Sequence, residues 1–273
     1  MTAKIINGKK IADNILNNLK SKINNLKQKP GLALVLVGSN PASEIYVNFK
    51  EKTCKEVGFY CERFNLDETI GKFDLLKLIN DLNQKTNIHG ILVQLPLPKH
   101  IDEHLIINSI LPHKDVDGFT PFTTLAPATA RAVLHLIESS GITIEGKNAV
   151  IVGRSNIVGK PTAMMLLEKN ATVTICHSKT KNLAEHTKNA DILVAAVGKP
   201  KLITKEMVKE GAVVIDVGIN RIVNKIVGDV DFENVKEIAG FITPVPGGVG
   251  PMTIAMLLDN TLKAMGMSQK INE

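Results

Sequence analysis

The sequence predicts an α/β fold in two domains, because short β-branched apolar runs alternate with longer amphipathic segments along the chain. Its 273 residues suffice for two domains of ordinary size, each with its own core. Between the two halves lies a stretch dense in residues that interrupt helices and strands, namely Pro112, Gly118, Pro121 and Pro127. We therefore predict a boundary near Gly118, with an N-terminal domain of residues 1–118.

The predicted elements follow the order typical of parallel sheets whose strands are joined by helices. In the first half, strands are predicted at residues 32–37, 60–64 and 91–95, and helices at 9–26, 42–57 and 72–84. In the second half, strands at 149–152, 172–176, 192–197 and 212–217 have the spacing of a doubly wound fold. A last apolar helix is predicted at 252–265, and its pattern does not decide which domain it joins.

Composition and charge argue against several classes of protein. The formal net charge is +6, but the lysines are dispersed, aromatic residues make up 4% and tryptophan is absent, so we expect no nucleic-acid partner. No apolar run approaches the roughly 20 residues that span a bilayer and no signal peptide is evident, so we expect a cytoplasmic protein that does not bind membranes. His100 and His104 have the spacing of a helical metal pair, but no third ligand is evident and no metal site is predicted.

A glycine-rich turn marks the candidate cofactor site. The apolar run at 149–152 is followed by the segment 153–161, GRSNIVGKP, and then by a helical pattern. A strand, a glycine turn and a helix N-terminus in this order let the backbone approach a pyrophosphate. Ser155 stands where GxGxxG has its second glycine, so a simple tight turn is an alternative. A P-loop is excluded, because five residues separate the two glycines and proline follows the lysine.

The end of the next predicted strand indicates which dinucleotide binds. NAD-binding domains usually place a carboxylate there, whereas this chain has Ser178 and Lys179, with Arg154 in the glycine turn. These groups offer hydrogen-bond donors and positive charge to a 2′-phosphate, so we predict NADP rather than NAD. The predicted cofactor-binding residues are Gly153, Arg154, Ser155, Ser178 and, at the nicotinamide end, Ile219.

Polar residues of the first half are candidates for the reacting site. Tyr46 and Lys50 are four residues apart in a helical segment and share one face, although an ordinary surface lysine is the alternative. Gln94 interrupts an apolar run, so it either satisfies backbone groups or faces a ligand. Asp115 and Asp117 lie at the predicted domain junction, where turn chemistry explains one carboxylate more readily than two.

Together these segments resemble the bifunctional methylenetetrahydrofolate dehydrogenase/methenyltetrahydrofolate cyclohydrolase family nearly from end to end. The resemblance rests on residues 37–43 with Tyr46 and Lys50, and on 90–98, 114–119, 153–161 and 242–253. It implies a homodimer with a folate cleft between its domains, in which the C-terminal helix, 253–273, completes the N-terminal catalytic domain. A Rossmann-like NADP-binding domain would then comprise 119–252. The link after Phe119 is shorter than the family's usual one.

The resemblance implies an enzyme of one-carbon metabolism and purine biosynthesis that oxidises 5,10-methylenetetrahydrofolate with NADP and hydrolyses the methenyl product to 10-formyltetrahydrofolate. Hydride transfer then needs positioning rather than an acid or base. Hydration of the methenyl cation needs proton transfer, which we assign to Lys50, Tyr46 and Gln94. Asp117 is expected to bind the amino-pyrimidine edge of the pterin. The alternatives are a family member with one activity, an NADP oxidoreductase with another substrate, and a regulatory nucleotide-binding module.

Overall fold

The computed structural model describes residues 2–223 and 225–271. These residues form two compact units. The six-stranded unit comprises Thr129–Thr253 and the described residues up to Asp13. The three-stranded unit comprises Asn14–Ala128 and the described residues from Ile254 onward.

The elements are numbered in chain order. The strands are β1 Lys4–Ile5, β2 Gly31–Val37, β3 Tyr60–Leu66, β4 Gly90–Val93, β5 Asn148–Val152, β6 Thr172–Cys176, β7 Ile192–Ala195, β8 Val213–Asp216, β9 Asn220–Ile222, β10 Lys225–Val227 and β11 Phe241–Ile242. The helices are α1 Gly8–Asn24, α2 Pro41–Val57, α3 Lys72–Gln84, α4 Glu103–Asn108, α5 Ala128–Ser139, α6 Gly159–Glu168, α7 Leu183–Thr187, α8 Phe232–Val235 and α9 Val249–Ile271. A 3₁₀ turn spans Lys205–Met207.

The three-stranded unit is built around β2, the central strand of a parallel sheet with the order β3-β2-β4. All seven residues of β2 are buried, as expected for a strand that is covered on both faces. Helix α2 follows directly. Its first turn is capped by Asn40, whose side chain accepts hydrogen bonds from the backbone of Ala42 and Ser43. This cap fixes where α2 begins and therefore which of its residues face the sheet.

The six-stranded unit contains a parallel sheet with the order β1-β11-β8-β7-β5-β6. The carboxyl ends of β5, β6, β7 and β8 therefore meet at one edge, where ligands bind in sheets of this class. The prediction of an α/β fold with parallel sheets is confirmed. The sequence did not predict the two-residue strand β1 or the antiparallel hairpin of β9 and β10, because elements so short carry little periodicity.

The structural units and the division expected from the sequence differ in three places, of which the smallest is Thr253, a residue of the six-stranded unit. The described residues up to Asp13 belong to the six-stranded unit, in which β1 pairs with β11. Residues 119–128 belong to the three-stranded unit, in which the buried Asn260 of α9 donates to the carbonyls of Val116 and Ala126, at 2.8 and 3.0 Å. Among the residues described, no helix combines the length and apolarity needed to cross a membrane.

Candidate functional site

The side chain of Lys50 is buried in the three-stranded unit. It lies on α2 with 8% of its surface exposed, and its Nζ donates to Oε1 of Gln94 at 3.0 Å. Gln94 directly follows β4, and its Nε2 donates to the carbonyl of Leu95 at 2.8 Å. Gln94 therefore satisfies a backbone group, as one of the two alternatives expected, and it also contacts a candidate reacting residue. That it faces a ligand stays a prediction. The surface-lysine interpretation of Lys50 is wrong.

Asp117 lies close enough to Lys50 for the two charges to interact. Burial lowers the pKa of Lys50 from its ordinary 10.5, and the negative charge of Asp117 opposes that shift. Burial also raises the pKa of Asp117 above 3.8, while the charge of Lys50 opposes the rise. The charged form of each group is therefore less stable than at the surface, which is the condition under which a lysine can exchange protons near neutral pH.

Asp115 and Lys114 hold the segment that carries Asp117. The carboxylate of Asp115 accepts the backbone N–H groups of Gly118 at 2.9 Å and Thr120 at 2.7 Å. The Nζ of Lys114 donates to three carbonyls at and just beyond the end of α3, those of Leu82, Asn83 and Lys85. Asp115 is thus the carboxylate that turn chemistry explains, and Asp117 is the one that interacts with Lys50.

Tyr46 lies one turn before Lys50 on α2 and is partly buried. The structure therefore brings Lys50, Gln94 and Asp117 together and places Tyr46 one helical turn from Lys50 on α2. Whether these residues carry the chemistry stays a prediction.

The glycine turn of the six-stranded unit lies at the carboxyl edge of the sheet. Gly153 follows β5 with a φ of 130°, and a Cβ there would lie 2.1 Å from the carbonyl oxygen of Ala196, which follows β7. Only glycine can occupy this position. The Oγ of Ser155 accepts N–H groups from Val158 at 3.1 Å and Gly159 at 3.2 Å, and so connects the turn to the start of α6. This close, side-chain-free approach is the kind of cradle that a pyrophosphate requires.

The exposed side chains around this turn match the prediction for NADP. Val152 and Cys176 pair where β5 and β6 end, so Arg154 and Ser178 project from adjacent strand ends, and both residues are exposed. The segments 153–160 and 177–181 carry arginine and lysine but no carboxylate. The residues present therefore fit a dinucleotide with a 2′-phosphate.

Ile219 lies beyond the end of β8, on the other side of the glycine turn in the strand order, and is 45% exposed. The turns at Ser178, Gly153 and Ile219 thus follow one another along the same edge of the sheet. Beside Ile219 are two buried carboxylates, Asp216 and Asp229, which sequence reasoning did not identify as functional. A signal was present, because an aspartate that ends an otherwise apolar strand must find hydrogen-bond donors.

The two histidines considered as a metal pair do not share a helix. His100 precedes α4, and its Nε2 lies 3.1 Å from the carbonyl oxygen of Ile70, whereas His104 is inside the helix. Within residues 2–223 and 225–271, the side chains of His, Cys, Asp and Glu form no group of three or more that could hold a metal ion.

Comparison with protein families assigns both units. A model described as the catalytic domain of tetrahydrofolate dehydrogenase/cyclohydrolase matches residues 6–117. A second model, described as the NAD(P)-binding domain of tetrahydrofolate dehydrogenase/cyclohydrolase, matches residues 127–269.

Individual relatives agree with this assignment. A protein of Moorella thermoacetica named bifunctional protein FolD is 56% identical over 277 residues, covering 97% of this chain and 99% of that protein. The crystal structure of the bifunctional enzyme FolD, a methylenetetrahydrofolate dehydrogenase/cyclohydrolase from Campylobacter jejuni, has a TM-score of 0.95 at 49% identity, covering 97% of this chain and 99% of that one. The Trypanosoma brucei N5,N10-methylenetetrahydrofolate dehydrogenase-cyclohydrolase, crystallised with NADP and an inhibitor, has a TM-score of 0.96 at 36% identity, with 98% and 99% covered. The chain therefore belongs to the tetrahydrofolate dehydrogenase/cyclohydrolase family of bifunctional enzymes, with its catalytic domain followed by its NAD(P)-binding domain.

Proposed function

We propose that this chain oxidises 5,10-methylenetetrahydrofolate to the methenyl form and hydrolyses that product to 10-formyltetrahydrofolate. The reacting groups are those around Lys50, and the cofactor is held by the glycine turn at Gly153. The observation that carries the proposal is the hydrogen bond from the buried amine of Lys50 to the partly buried Gln94, with Asp117 close enough for its charge to interact with that amine. Burying a lysine amine is unfavourable and lowers its pKa, and an amphipathic helix does not require it for stability. A cyclohydrolase, in contrast, needs a group that can move a proton at neutral pH.

In the hydrolysis, the neutral amine of Lys50 takes a proton from water as the water oxygen bonds to the methenyl carbon. The bond from that carbon to N5 then breaks as N5 receives this proton from Lys50, and the hydroxyl group of the adduct loses its own proton to solvent, which leaves the formyl C=O of the 10-formyl product and releases one proton overall. Gln94 orients the amine through its Oε1. Tyr46, one turn away on α2, faces the same substrate and assists in orienting it. The cation itself favours the neutral amine, because a second positive charge nearby is unfavourable.

Asp117 is proposed to bind the amino-pyrimidine edge of the pterin, where two parallel N–H donors match the two oxygens of a carboxylate. Its segment is held from both sides by Lys114 and Asp115. A carboxylate on so well anchored a segment positions the pterin, and with it the reacting carbon, with little loss of conformational entropy.

In the oxidation, the chain's own task is to hold the cofactor and to orient it. Gly153 and Ser155 would hold the pyrophosphate, Arg154 and Ser178 the 2′-phosphate, and Ile219 the nicotinamide end. When bound, NADP supplies the acceptor for the hydride. The protein provides no acid or base for this step, because the nitrogens that flank the reacting carbon stabilise the cation that forms.

Two further proposals concern the protein's setting. The thiols of Cys54, Cys61 and Cys176 are free, which suits the reducing conditions of the cytoplasm. A homodimer is supported by β3, an edge strand of its sheet that leaves Tyr60 42% exposed, and by Phe49 of the adjacent helix α2, which is 56% exposed.

Lys50→Met is expected to lower the rate of methenyl hydrolysis by about 100-fold or more, because it removes the proton acceptor but keeps an apolar chain of similar length. Decay of the methenyl absorbance measures the rate. Lys52→Met is the matched control, since Lys52 lies on the same helix with its side chain 70% exposed. Hydrolysis of the methenyl form at the wild-type rate in Lys50→Met would refute the role of Lys50 as the proton acceptor.

Asp117→Asn is expected to weaken the binding of a folate analogue roughly 10- to 100-fold, because charge-assisted hydrogen bonds are lost. In the wild type, affinity should fall as the pH drops through the raised pKa of Asp117, since the protonated acid no longer accepts both donors. The variant should lack this dependence. Calorimetric titration across pH tests both points, with Asp81→Asn on the exposed side of α3 as the control. An unchanged affinity and pH profile would refute the role.

Gly153→Ala is expected to weaken NADP binding at least about tenfold, because the added Cβ collides with the backbone at Ala196 and moves the turn away from the pyrophosphate. Hydrolysis of the methenyl form should persist. Gly141→Ala is the control, because its φ of 80° is also positive and unfavourable for alanine, but no atom lies within 4 Å of the added Cβ. Equal NADP affinity in Gly153→Ala and wild type, measured by calorimetry, would contradict the cradle.

Sedimentation velocity at micromolar concentration is expected to give twice the mass of one chain. The edge strand β3 and the exposed aromatic side chains Tyr60 and Phe49 are covered in that assembly, so dilution should separate the copies only well below this concentration. A single-chain mass throughout the dilution series would disprove the homodimer.

A further inference from the structure

Asp229 organises two turns at the carboxyl edge of the six-stranded sheet. It is fully buried and follows the β9–β10 hairpin. Its Oδ2 accepts the backbone N–H groups of Val197 at 2.6 Å and Gly198 at 3.0 Å. Its Oδ1 accepts the N–H of Lys199 at 2.8 Å and the side-chain amide of Asn220 at 2.9 Å. One carboxylate thus joins the turn after β7 to the turn after β8.

Asp216 supports Asp229 from the end of β8. Its Oδ1 accepts the N–H groups of Gly218 and of Asp229 itself, both at 2.9 Å, and its Oδ2 accepts that of Val230 at 2.9 Å. A Cβ on Gly218 would lie 2.3 Å from the carboxylate carbon of Asp229, so the backbone there is pressed against the carboxylate. The two aspartates and the two turns therefore form one closely packed polar network.

The network includes both chain neighbours of Ile219. The preceding residue, Gly218, donates to Asp216, and the following residue, Asn220, donates to Asp229. The side chain of Ile219 remains exposed between these two fixed points. The same network fixes residues 197–199, immediately after Ala196, against which the glycine turn at Gly153 packs.

We propose that Asp229 is a positioning residue for hydride transfer, which holds the turns at 197–199 and 217–220 so that Ile219 orients the nicotinamide end of the cofactor. It does so without touching the cofactor itself. The inference rests on the proposed function. It also predicts an asymmetry, because the groups assigned to the 2′-phosphate follow β5 and β6, beyond β7 in the strand order, and do not bond to Asp229.

The test uses the full-length Asp229→Asn variant. Asparagine has one acceptor oxygen in place of two and turns an amide toward N–H donors, so at least half of the network is lost. We expect kcat of the dehydrogenase to fall at least about tenfold, because small misplacements of reacting groups are costly. Calorimetric binding of adenosine 2′,5′-bisphosphate, which carries the 2′-phosphate but no nicotinamide, should stay within about twofold of wild type.

Asn220→Ala is the second variant, because it removes one donor from Asp229 and leaves the buried carboxylate with its three backbone partners. This variant should lower kcat of the dehydrogenase severalfold and leave the binding of adenosine 2′,5′-bisphosphate unchanged. Asp191→Asn is the matched control. Asp191 also accepts a backbone N–H, from Asn148 at 2.9 Å, but it precedes β7 at the opposite edge of the sheet, so its loss should leave both measurements unchanged.

Two measurements decide the test, the kcat of the dehydrogenase and the binding of adenosine 2′,5′-bisphosphate, called the fragment below. A lowered kcat with intact fragment binding supports the inference. An unchanged kcat in both Asp229→Asn and Asn220→Ala overturns the inference. It is also overturned if Asn220→Ala weakens the binding of adenosine 2′,5′-bisphosphate as much as it weakens the binding of NADP, since that result indicates a general structural role. A wild-type protein that binds neither NADP nor the fragment would instead refute the proposed function on which the inference rests.

Discussion

The hydrogen bond between the buried amine of Lys50 and the amide oxygen of Gln94 is the interaction on which the candidate site of the three-stranded unit depends. A charged lysine loses its hydration when it is buried, and a neutral amide repays only part of that loss. The negative charge of Asp117 reduces the penalty but does not remove it, so the pKa of Lys50 stays lowered. An amine in this state is kept in the fold at an energetic cost, and a lowered pKa is what the proposed proton-transfer role requires.

Four aspartates of the protein differ in the groups that surround their carboxylates. Asp115, Asp216 and Asp229 each accept several N–H groups and act as fixed points for turns. Asp117 interacts with a charged side chain instead. Burial and the nearby charge of Asp229 raise the pKa of Asp216 to about 6, although three backbone hydrogen bonds oppose the rise. The same residue type therefore serves as scaffold in one place and as a candidate ligand-binding group in another.

Both units use the carboxyl edge of a parallel sheet in the same way. In the three-stranded unit, Gln94 follows β4, next to the central strand β2. In the six-stranded unit, Gly153, Ser178 and Ile219 follow β5, β6 and β8. Parallel strands end together, so residues far apart in sequence become neighbours without long loops. The short polar turns are then held by buried carboxylates or by a lysine, which gives them the rigidity that an accurate site needs.

The sequence by itself determined the α/β class, the central strands and the glycine turn, because continuous apolar runs and left-handed glycines are local properties that few other structures satisfy. It also identified Lys50, Gln94 and Asp117 as candidates. Only the tertiary structure decided that Lys50 is buried against Gln94, that Asp115 rather than Asp117 closes the turn, and that Asp229 joins two turns. Lys50 and Gln94 are 44 positions apart, and Asp229 accepts from residues up to 32 positions away, so no local pattern encodes which donor meets which acceptor. The partners of Asp115 lie within five positions, but there the sequence offered two carboxylates for one turn, and only the fold decided between them.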